Sequence, residues 1–351
     1  MPYDYRGAIH VHSSFSDGTG SIDEIMQAAN ETGLDFVVLS DHNTLRAAAE
    51  GLERWHGSSL LIVGTEISGD RAPNHCLALG LPADAPVADL KGKSAQAVID
   101  AVNRLGGFGV IAHPDHAGTE RFGIPSYAWT DWTVNGFSGM GIWDLMSDWQ
   151  EVVEDWTGGM EVYDQFARHL RGPKEATLKR WDEMSRNGVR VAGFGEIDNH
   201  AAKRTYEGRE LIVFPYAEAF KTVTNHVVLD QPLPKDYAQA KAAVLGALKQ
   251  GRFYVAFEYF DDAADFQFEA SDGDHTVGMG GELHPTEDCE LFLQVPSPCI
   301  VKMICDGDPL WEEEVESDRL LEIEQPGSYR VEAYRDGMIW ILSNPIHVKA
   351  E

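Results

Sequence analysis

The sequence predicts an α/β fold, most simply a barrel, followed by a small all-β domain. Over about residues 5–255, strand-like segments alternate with helix-like segments, an order typical of a mainly parallel sheet. About seven such units fit a closed barrel better than an open sheet. A doubly wound open sheet, the other fold considered, would have a glycine-rich turn after its first strand. The turn at residues 12–18 reads HSSFSDG and lacks that pattern.

The individual elements are predicted from apolar runs and helix caps. A helix over Ser21–Thr32 begins with Ser21 and Glu24 at the spacing of a capping box. Buried strands are predicted at Ala8–Val11, Phe36–Leu39, Leu60–Val63, Cys76–Leu81, Phe108–Ala112, Met160–Tyr163 and Val189–Phe194. Further helices are predicted at Leu45–Trp55, Ser94–Leu105, Lys174–Arg186 and Tyr237–Lys249.

One segment, about residues 115–158, interrupts this alternation and is predicted to be an insertion. It contains five of the nine tryptophans: Trp129, Trp132, Trp143, Trp149 and Trp156. A long insertion at the active face of a barrel often forms a lid or a wall of the substrate site. The alternative is a helical excursion that buries its own aromatic side chains.

From about residue 256 onward the pattern changes to that of antiparallel strands. Apolar and polar residues alternate around Leu291–Val295 and Tyr329–Ala333. Asp306-Gly307 and Asp336-Gly337 are typical hairpin turns. The sequence therefore predicts two domains, a barrel over residues 1–255 and a β-sandwich over residues 256–351.

The acidic composition disfavours some classes of binding partner. The chain has 57 acidic and 28 basic residues and a net charge of −29. A field of that sign disfavours nucleic acid, although bound cations would still permit a small anionic substrate. A need for solubility or a saline habitat explains the acidity equally well. Without a long apolar run or a signal pattern, we expect a cytoplasmic protein with no membrane contact, and the oligomeric state stays open.

Histidines and carboxylates recur where the predicted strands end. His10 and His12 are two residues apart on the first strand, so their side chains leave the same face. In a barrel, the carboxyl ends of the strands form the active face. We therefore expect nine side chains to meet at one site: His10, His12, Asp17, His42, Glu66, His75, His113, Asp198 and His200.

Divalent metal ions are the best explanation for such a cluster. Imidazoles and carboxylates are suitable ligands for Zn, Mn or Fe. Three carboxylates packed together would repel each other, and two or three divalent ions remove that repulsion. Neighbouring metals can also hold a bridging hydroxide that attacks an ester. The sequence thus predicts a metal-dependent hydrolase with Glu66, Asp198 and His200 as candidate catalytic residues, where Asp198 or a histidine protonates the leaving oxygen.

These motifs together resemble the polymerase-and-histidinol-phosphatase (PHP) domain family. The family's opening motif is similar to His10-x-His12 with Ser16-Asp17-Gly18. Its later motifs are matched in order by Ser40-Asp41-His42-Asn43, Gly64-x-Glu66-Ile67, His75, Ala112-His113-Pro114 and Asp198-x-His200. The resemblance covers about residues 5–255 and implies a distorted (β/α)7 barrel with a trinuclear metal site.

The resemblance also implies how the ligands divide and what they do. By this analogy the first metal takes His10, His12, Glu66 and Asp198, the second takes Glu66, His75 and His113, and the third takes Asp17, His42 and His200. The implied reaction is hydrolysis of phosphomonoesters or phosphodiesters with manganese, iron or zinc. More loosely, Gly251–Val255 and the β-rich tail resemble a branch related to carbaryl hydrolase, which includes carbamate and carboxylic ester hydrolases.

Three functions remain open on this evidence. They are a phosphoesterase for a small phosphorylated molecule, a carboxylic or carbamate ester hydrolase at the same metals, and a non-catalytic binding module. The complete ligand set argues against the third. Arg121, Lys203 and Arg204 are candidates to bind a substrate anion, with ordinary surface charge as the alternative. Asp41 is a candidate to orient a ligand, with a helix N-cap role for Asn43 or Asp41 as the alternative. His116 is a candidate proton donor, with an ordinary loop histidine as the alternative.

Overall fold

Strands and helices alternate along the first 257 residues of the computed structural model, which describes residues 2–155, 160–206, 208–285 and 289–350. The strands are β1 (Tyr3–Val11), β2 (Phe36–Leu39), β3 (Trp55–His56), β4 (Ser59–Val63), β5 (Thr65–Ile67), β6 (Cys76–Leu79), β7 (Phe108–Ile111), β8 (Gly139–Asp144), β9 (Ala192–Glu196), β10 (Ala202–Tyr206), β11 (Arg209–Val213), β12 (Val223–Leu229) and β13 (Phe253–Phe257).

The helices lie between these strands. They are α1 (Ile22–Thr32), α2 (Arg46–Ala49), α3 (Ala95–Arg104), α4 (Leu145–Asp155), α5 (Glu161–Asp164), α6 (Phe166–His169), α7 (Glu175–Arg186), α8 (Tyr216–Ala219) and α9 (Tyr237–Gln250), with short 3₁₀ helices at Val87–Leu90 and Glu120–Phe122. The capping box predicted at Ser21 is confirmed, because Ser21 and Glu24 exchange side-chain and backbone hydrogen bonds. Among the described helices, none is long and apolar enough to cross a bilayer.

Two large sheets contain most strands of this part, and β10 and β11 form a separate two-stranded sheet. In the first, β1, β2 and β4 run parallel, and β12 and β13 extend the sheet antiparallel beyond β1. The second has the order β5-β6-β7-β8-β9, in which β6 alone runs antiparallel to its neighbours. Single-residue parallel bridges, Val11 to Asn199 and His42 to Glu66, join the two sheets. The fold is mixed α/β, and its closure into a seven-stranded barrel stays a prediction.

The strand predicted at Met160–Tyr163 is wrong, since the short helix α5 occupies that position. The strand that pairs with β7 and β9 is β8, within the segment predicted as an insertion. Gly139 and Gly141 weaken the strand signal of β8, because glycine is disfavoured in strands. Both glycines are needed there. A Cβ at Gly139 would lie 2.2 Å from the Phe194 ring, and a Cβ at Gly141 would lie 1.8 Å from the Glu196 carboxylate.

Other sequence expectations are corrected in detail. The helix predicted over Leu45–Trp55 is limited to the four residues of α2. Within the tryptophan-rich segment, Trp129, Trp143 and Trp149 are buried, whereas Trp156 lies outside the described residues.

The C-terminal part is β-rich, as predicted. Its strands are β14 (Gln267–Ser271), β15 (Thr276–Gly278), β16 (Glu282–Leu283), β17 (Cys289–Gln294), β18 (Cys299–Cys305), β19 (Asp308–Val315), β20 (Asp318–Ile323), β21 (Gly327–Arg335), β22 (Met338–Ser343) and β23 (Ile346–Val348). Both predicted hairpin turns are confirmed: Asp306-Gly307 and Asp336-Gly337 join adjacent strands and have positive φ at all four residues.

The first sheet runs on into this C-terminal part. β13 pairs with β12 on one side and with β22 on the other, and β22 pairs with β21. A second sheet of order β15-β14-β17-β20 shares one apolar core with the first sheet's C-terminal strands, including Phe268, Leu291, Val301 and Val331. The domain boundary after residue 255 stays a prediction, and β13 spans it.

A buried ion-pair network also connects the two parts. On β21, the Arg330 guanidinium donates to both carboxylate oxygens of Asp182 on α7 at 2.6 and 2.8 Å, and to Glu332 at 2.6 Å. All three residues are at most 7% exposed. Loss of one partner of a buried network leaves uncompensated charge in a medium of low dielectric constant.

Replacing Arg330 by Ala should therefore lower the free energy of unfolding by about 3–5 kcal/mol, the usual cost of breaking a buried ion pair. The matched control is Arg319→Ala, which removes an exposed ion pair to Glu313. It should cost less than about 1 kcal/mol. Urea titration of both variants measures the difference, and equal stabilities would contradict this assignment.

A second buried network surrounds His226 on β12. Its two ring nitrogens lie 2.8 Å from Asp4 Oδ1 and 2.6 Å from Glu258 Oε1. Burial alone would lower the pKa of His226, but these two carboxylates raise it to about 9. Because this pKa exceeds the ordinary value of 6.5, the stabilisation is complete below pH 6.5 and is lost as the pH rises through about 9.

We therefore expect the free energy of unfolding to fall between pH 7 and pH 9.5 by a larger amount in the natural protein than in a His226→Gln variant. Denaturant titrations at a series of pH values provide the measurement. His275→Gln, at an exposed histidine, serves as the control and should keep the natural pH dependence. An identical pH dependence in the His226 variant would exclude this role.

Candidate metal centre

The nine predicted ligands meet at one edge of the two sheets. Most follow the carboxyl end of a strand, as His42 follows β2 and His113 follows β7. His75 instead precedes β6. Because β6 runs antiparallel to β5 and β7, its beginning lies at the edge where its neighbours' ligands stand. The reversed strand therefore supplies its ligand from the opposite end.

Unusual backbone conformations position three of these ligands. His10, His113 and Asp198 have φ values of 71°, 27° and 44°, in the left-handed region that non-glycine residues rarely adopt. At His10, the register between β1 and β2 shifts, so the strand bulges where its first ligand stands. Such conformations cost on the order of 1–3 kcal/mol each and are concentrated at functional sites.

The first group of ligands brings four side chains together. His10 Nε2 lies 3.2 Å from both Glu66 Oε2 and Asp198 Oδ1. His12 Nε2 lies 3.4 Å and 3.1 Å from the same two oxygens. All four ligand atoms lie within 4.8 Å of one another.

Two further groups adjoin the first. Glu66 Oε1 faces His75 Nδ1 at 2.6 Å and His113 Nε2 at 3.1 Å. The other group comprises His12, Asp17, His42 and His200, with His200 Nε2 3.2 Å from Asp17 Oδ1. Glu66 thus belongs to two of the groups, and His12 also belongs to two.

The donor atoms have the properties that a cation site requires. His10 Nε2, His12 Nε2 and Glu66 Oε2 are buried and have no hydrogen-bond partner among the described residues. Burial alone would raise the pKa of Glu66 and of Asp198, but the surrounding imidazoles hold both pKa values well below the ordinary range. Burial and the charge of His200 lower the pKa of His12 to about 4, which keeps this imidazole in its neutral, metal-binding form. The cluster is therefore able to bind metal.

One buried carboxylate at this site was missed in the sequence. Glu196, the last residue of β9, is fully buried. Its Oε1 lies 3.3 Å from His10 Nδ1, and its Oε2 accepts the backbone N–H of His113 at 2.7 Å. It thus contacts ligands of two different groups. The available signal was an acidic residue ending an otherwise apolar strand, two positions before Asp198.

Other contacts hold the ligand side chains and the loop before Asp17 in place. Ser68 Oγ lies 3.0 Å from His42 Nδ1, and the Tyr127 ring stacks on His75 with centroids 4.9 Å apart. Asp41 does not contact a ligand side chain through a hydrogen bond; it accepts hydrogen bonds from Ser13 and Ser16 and so fixes the loop before Asp17. None of these contacts was predicted from the sequence.

A cavity of about 940 Å³ opens in front of the cluster. Seven of the nine ligands line it: Asp17, His42, Glu66, His75, His113, Asp198 and His200. The three predicted anion-binding residues, Arg121, Lys203 and Arg204, line it as well, as does His116. Side chains of the tryptophan-rich segment, among them Phe122 and Trp149, form part of its wall.

The family follows from comparison with known proteins. The model of the PHP domain matches residues 8–106. Over these residues the chain is similar to the PHP domain family. The match includes six of the nine ligands, from His10 to His75, and the recognition of this family from its motifs is confirmed. The looser resemblance to the carbaryl hydrolase branch stays a prediction.

Individual relatives are more distant. An uncharacterized protein of Methanocaldococcus jannaschii is 29% identical over 123 residues, which are 31% of this chain and 67% of that protein. Among solved structures, a two-domain Bacteroides vulgatus protein, described as containing a predicted PHP-like metal-dependent phosphoesterase, is 14% identical. The match covers 97% of this chain and 95% of that one, with a TM-score of 0.43. A predicted metal-dependent phosphoesterase of Bifidobacterium adolescentis is 16% identical, over 61% and 94% of the two chains, with a TM-score of 0.36.

Replacing Glu196 by Gln should weaken metal binding to the ligand cluster by about 10- to 100-fold, the usual effect of losing a carboxylate that orients a ligating histidine. Glutamine has the same shape but loses the charge that faces His10. Competition with a chelating dye measures the apparent Kd for Mn²⁺ or Zn²⁺. Glu183→Gln, at an exposed position of α7, is the control. Unchanged metal affinity in a folded Glu196 variant would disprove the orienting role.

Proposed function

We propose that this protein hydrolyses phosphate esters of small molecules, with two or three divalent ions of manganese, iron or zinc at the PHP centre. The observation that carries the proposal is the set of three overlapping ligand groups, whose atoms converge around Glu66. Multinuclear sites of this kind suit attack on phosphorus, where both the attacking and the leaving oxygen need stabilisation.

The proposed division of the ligands follows the three groups. His10, His12, Glu66 and Asp198 would hold one ion, Glu66, His75 and His113 a second, and Asp17, His42 and His200 a third. Such ions, when bound, withdraw charge from the ester oxygens and lower the pKa of water towards ~7. The carboxylate of Glu66 would contribute to two of these sets, because its two oxygens face different histidines.

Asp198 is the proposed residue for proton transfer. It lines the cavity and belongs to the first ligand group, where it would take a proton from the attacking water and pass it to the leaving oxygen. His116 is a weaker candidate. Burial and the charge of His113 lower the pKa of His116 to about 4, so its imidazole is neutral near pH 7 and is a poor proton donor.

Basic side chains support a phosphate rather than an uncharged ester as the substrate. Arg121, Lys203 and Arg204 line the cavity together with Arg71 and Lys91. In a chain of net charge −29, these five basic residues share the cavity lining with four carboxylates, Asp17, Glu66, Asp70 and Asp198, so basic groups outnumber acidic ones there. We propose that they attract the substrate anion and hold it near the ligand groups.

The manganese-loaded protein should hydrolyse p-nitrophenyl phosphate or bis(p-nitrophenyl) phosphate, and Glu66→Ala should reduce turnover below detection. The substitution removes the carboxylate that two ligand groups share, so metal content should fall with activity. Elemental analysis and initial rates, repeated with zinc and iron, provide the measurements. Glu175→Ala, at an exposed position of α7, is the control and should retain both metal and activity.

A naphthyl carbamate should be assayed alongside the two nitrophenyl phosphates. Turnover of the carbamate alone would contradict the phosphoesterase proposal in favour of an ester hydrolase at the same centre. A metal-loaded protein that cleaves no ester would leave a binding function instead.

A further inference from the structure

The cavity is much larger than a phosphate group requires. Its volume of about 940 Å³ lies near the top of the range of roughly 300–1,000 Å³ that is typical of sites for drug-sized molecules. A phosphate held at the ligand groups would occupy only one end. Most of the cavity is therefore available to the organic group that the ester carries.

Part of the cavity lining is an apolar wall. It is formed by Phe122 and Trp149 from the tryptophan-rich segment and by Leu211 from β11, with further apolar side chains at Ile124 and Val153. These residues come from separate regions of the chain. Within this wall Trp149 and Val153 are buried, whereas Phe122 is 37% exposed and offers apolar surface that a ligand would cover.

Ring contacts hold this wall in place. Trp149 stacks on Phe122 with centroids 5.8 Å apart and meets Phe214 edge-on at 5.0 Å. The indole N–H of Trp149 donates to the backbone carbonyl of Val162 at 3.2 Å. Because its polar atom is already satisfied, the indole presents only apolar surface to a ligand. The wall is thus preorganised, which lowers the cost of binding.

Basic residues stand beside this wall. Arg121 directly precedes Phe122, and Lys203 on β10 belongs to the same hairpin as Leu211. Arg71 lines the same cavity. The arrangement fits a molecule with an anionic end and an apolar body.

We propose that the substrate of this centre is a phosphate ester of a bulky apolar alcohol, aromatic or long-chain, whose apolar group packs against Phe122, Trp149 and Leu211. This inference rests on the proposed function. In the reaction, a water oxygen bonds to phosphorus and the bond from phosphorus to the alcohol oxygen breaks. The alcohol leaves with one proton of that water, so the products are inorganic phosphate and an apolar alcohol.

Binding of alkylphosphonates, which cannot be hydrolysed, tests this without turnover. Calorimetric titration of the manganese-loaded protein with methyl- to octylphosphonate should give a Kd that falls about two- to fourfold per added methylene, as expected for burial of an apolar chain. Phe122→Ala and Leu211→Ala should each weaken octylphosphonate binding by about 5- to 10-fold and leave methylphosphonate unchanged. Both residues are partly exposed, so these variants should fold.

Leu320→Ala is the matched control, since Leu320 is an exposed leucine of the C-terminal part and lies outside the cavity lining. Equal Kd values across the phosphonate series, in a protein that hydrolyses p-nitrophenyl phosphate, would overturn the apolar substrate while leaving the phosphoesterase intact. The same holds if the two cavity variants bind octylphosphonate as tightly as Leu320→Ala does. Absence of both phosphonate binding and phosphate hydrolysis would overturn the proposed function and this inference together.

Discussion

The carboxylate of Glu66 is the interaction on which the rest of the centre depends. It is 1% exposed, and burial by itself opposes its charge. Five imidazoles compensate: Oε2 faces His10, His12 and His42, and Oε1 faces His75 and His113. The histidines come from the ends of four strands, β1, β2, β6 and β7. A single carboxylate therefore fixes how the strand ends converge, and any cations held there would share its charge.

The ligands could be predicted because ligation chemistry restricts residue type and position together. Histidines and carboxylates at the ends of successive strands, such as His42 and His113, have few structural roles that would repeat so regularly. The sequence could not reveal that β6 runs antiparallel, which is why His75 stands before its strand rather than after it. Strand direction is decided by tertiary pairing and leaves no local signal.

The missed features share a similar cause. Glu196 acts through the backbone N–H of His113, 83 positions away in the chain. Strand β8 was missed because its two glycines, required by the Phe194 ring and by Glu196 itself, lower the local strand preference. In both cases one tight tertiary contact determined the residue, and local patterns contain no information about it.

Strand β13 lies in the middle of a continuous sheet, with β12 and β22 as its neighbours. A polypeptide ending near residue 255 would cut through this strand and strip it of one neighbour. Its remaining backbone N–H and C=O groups would form an open, apolar edge, the kind of surface that templates intermolecular pairing and precipitation. Expression of the part with the ligand cluster in isolation should therefore give inclusion bodies, unless the C-terminal strands accompany it.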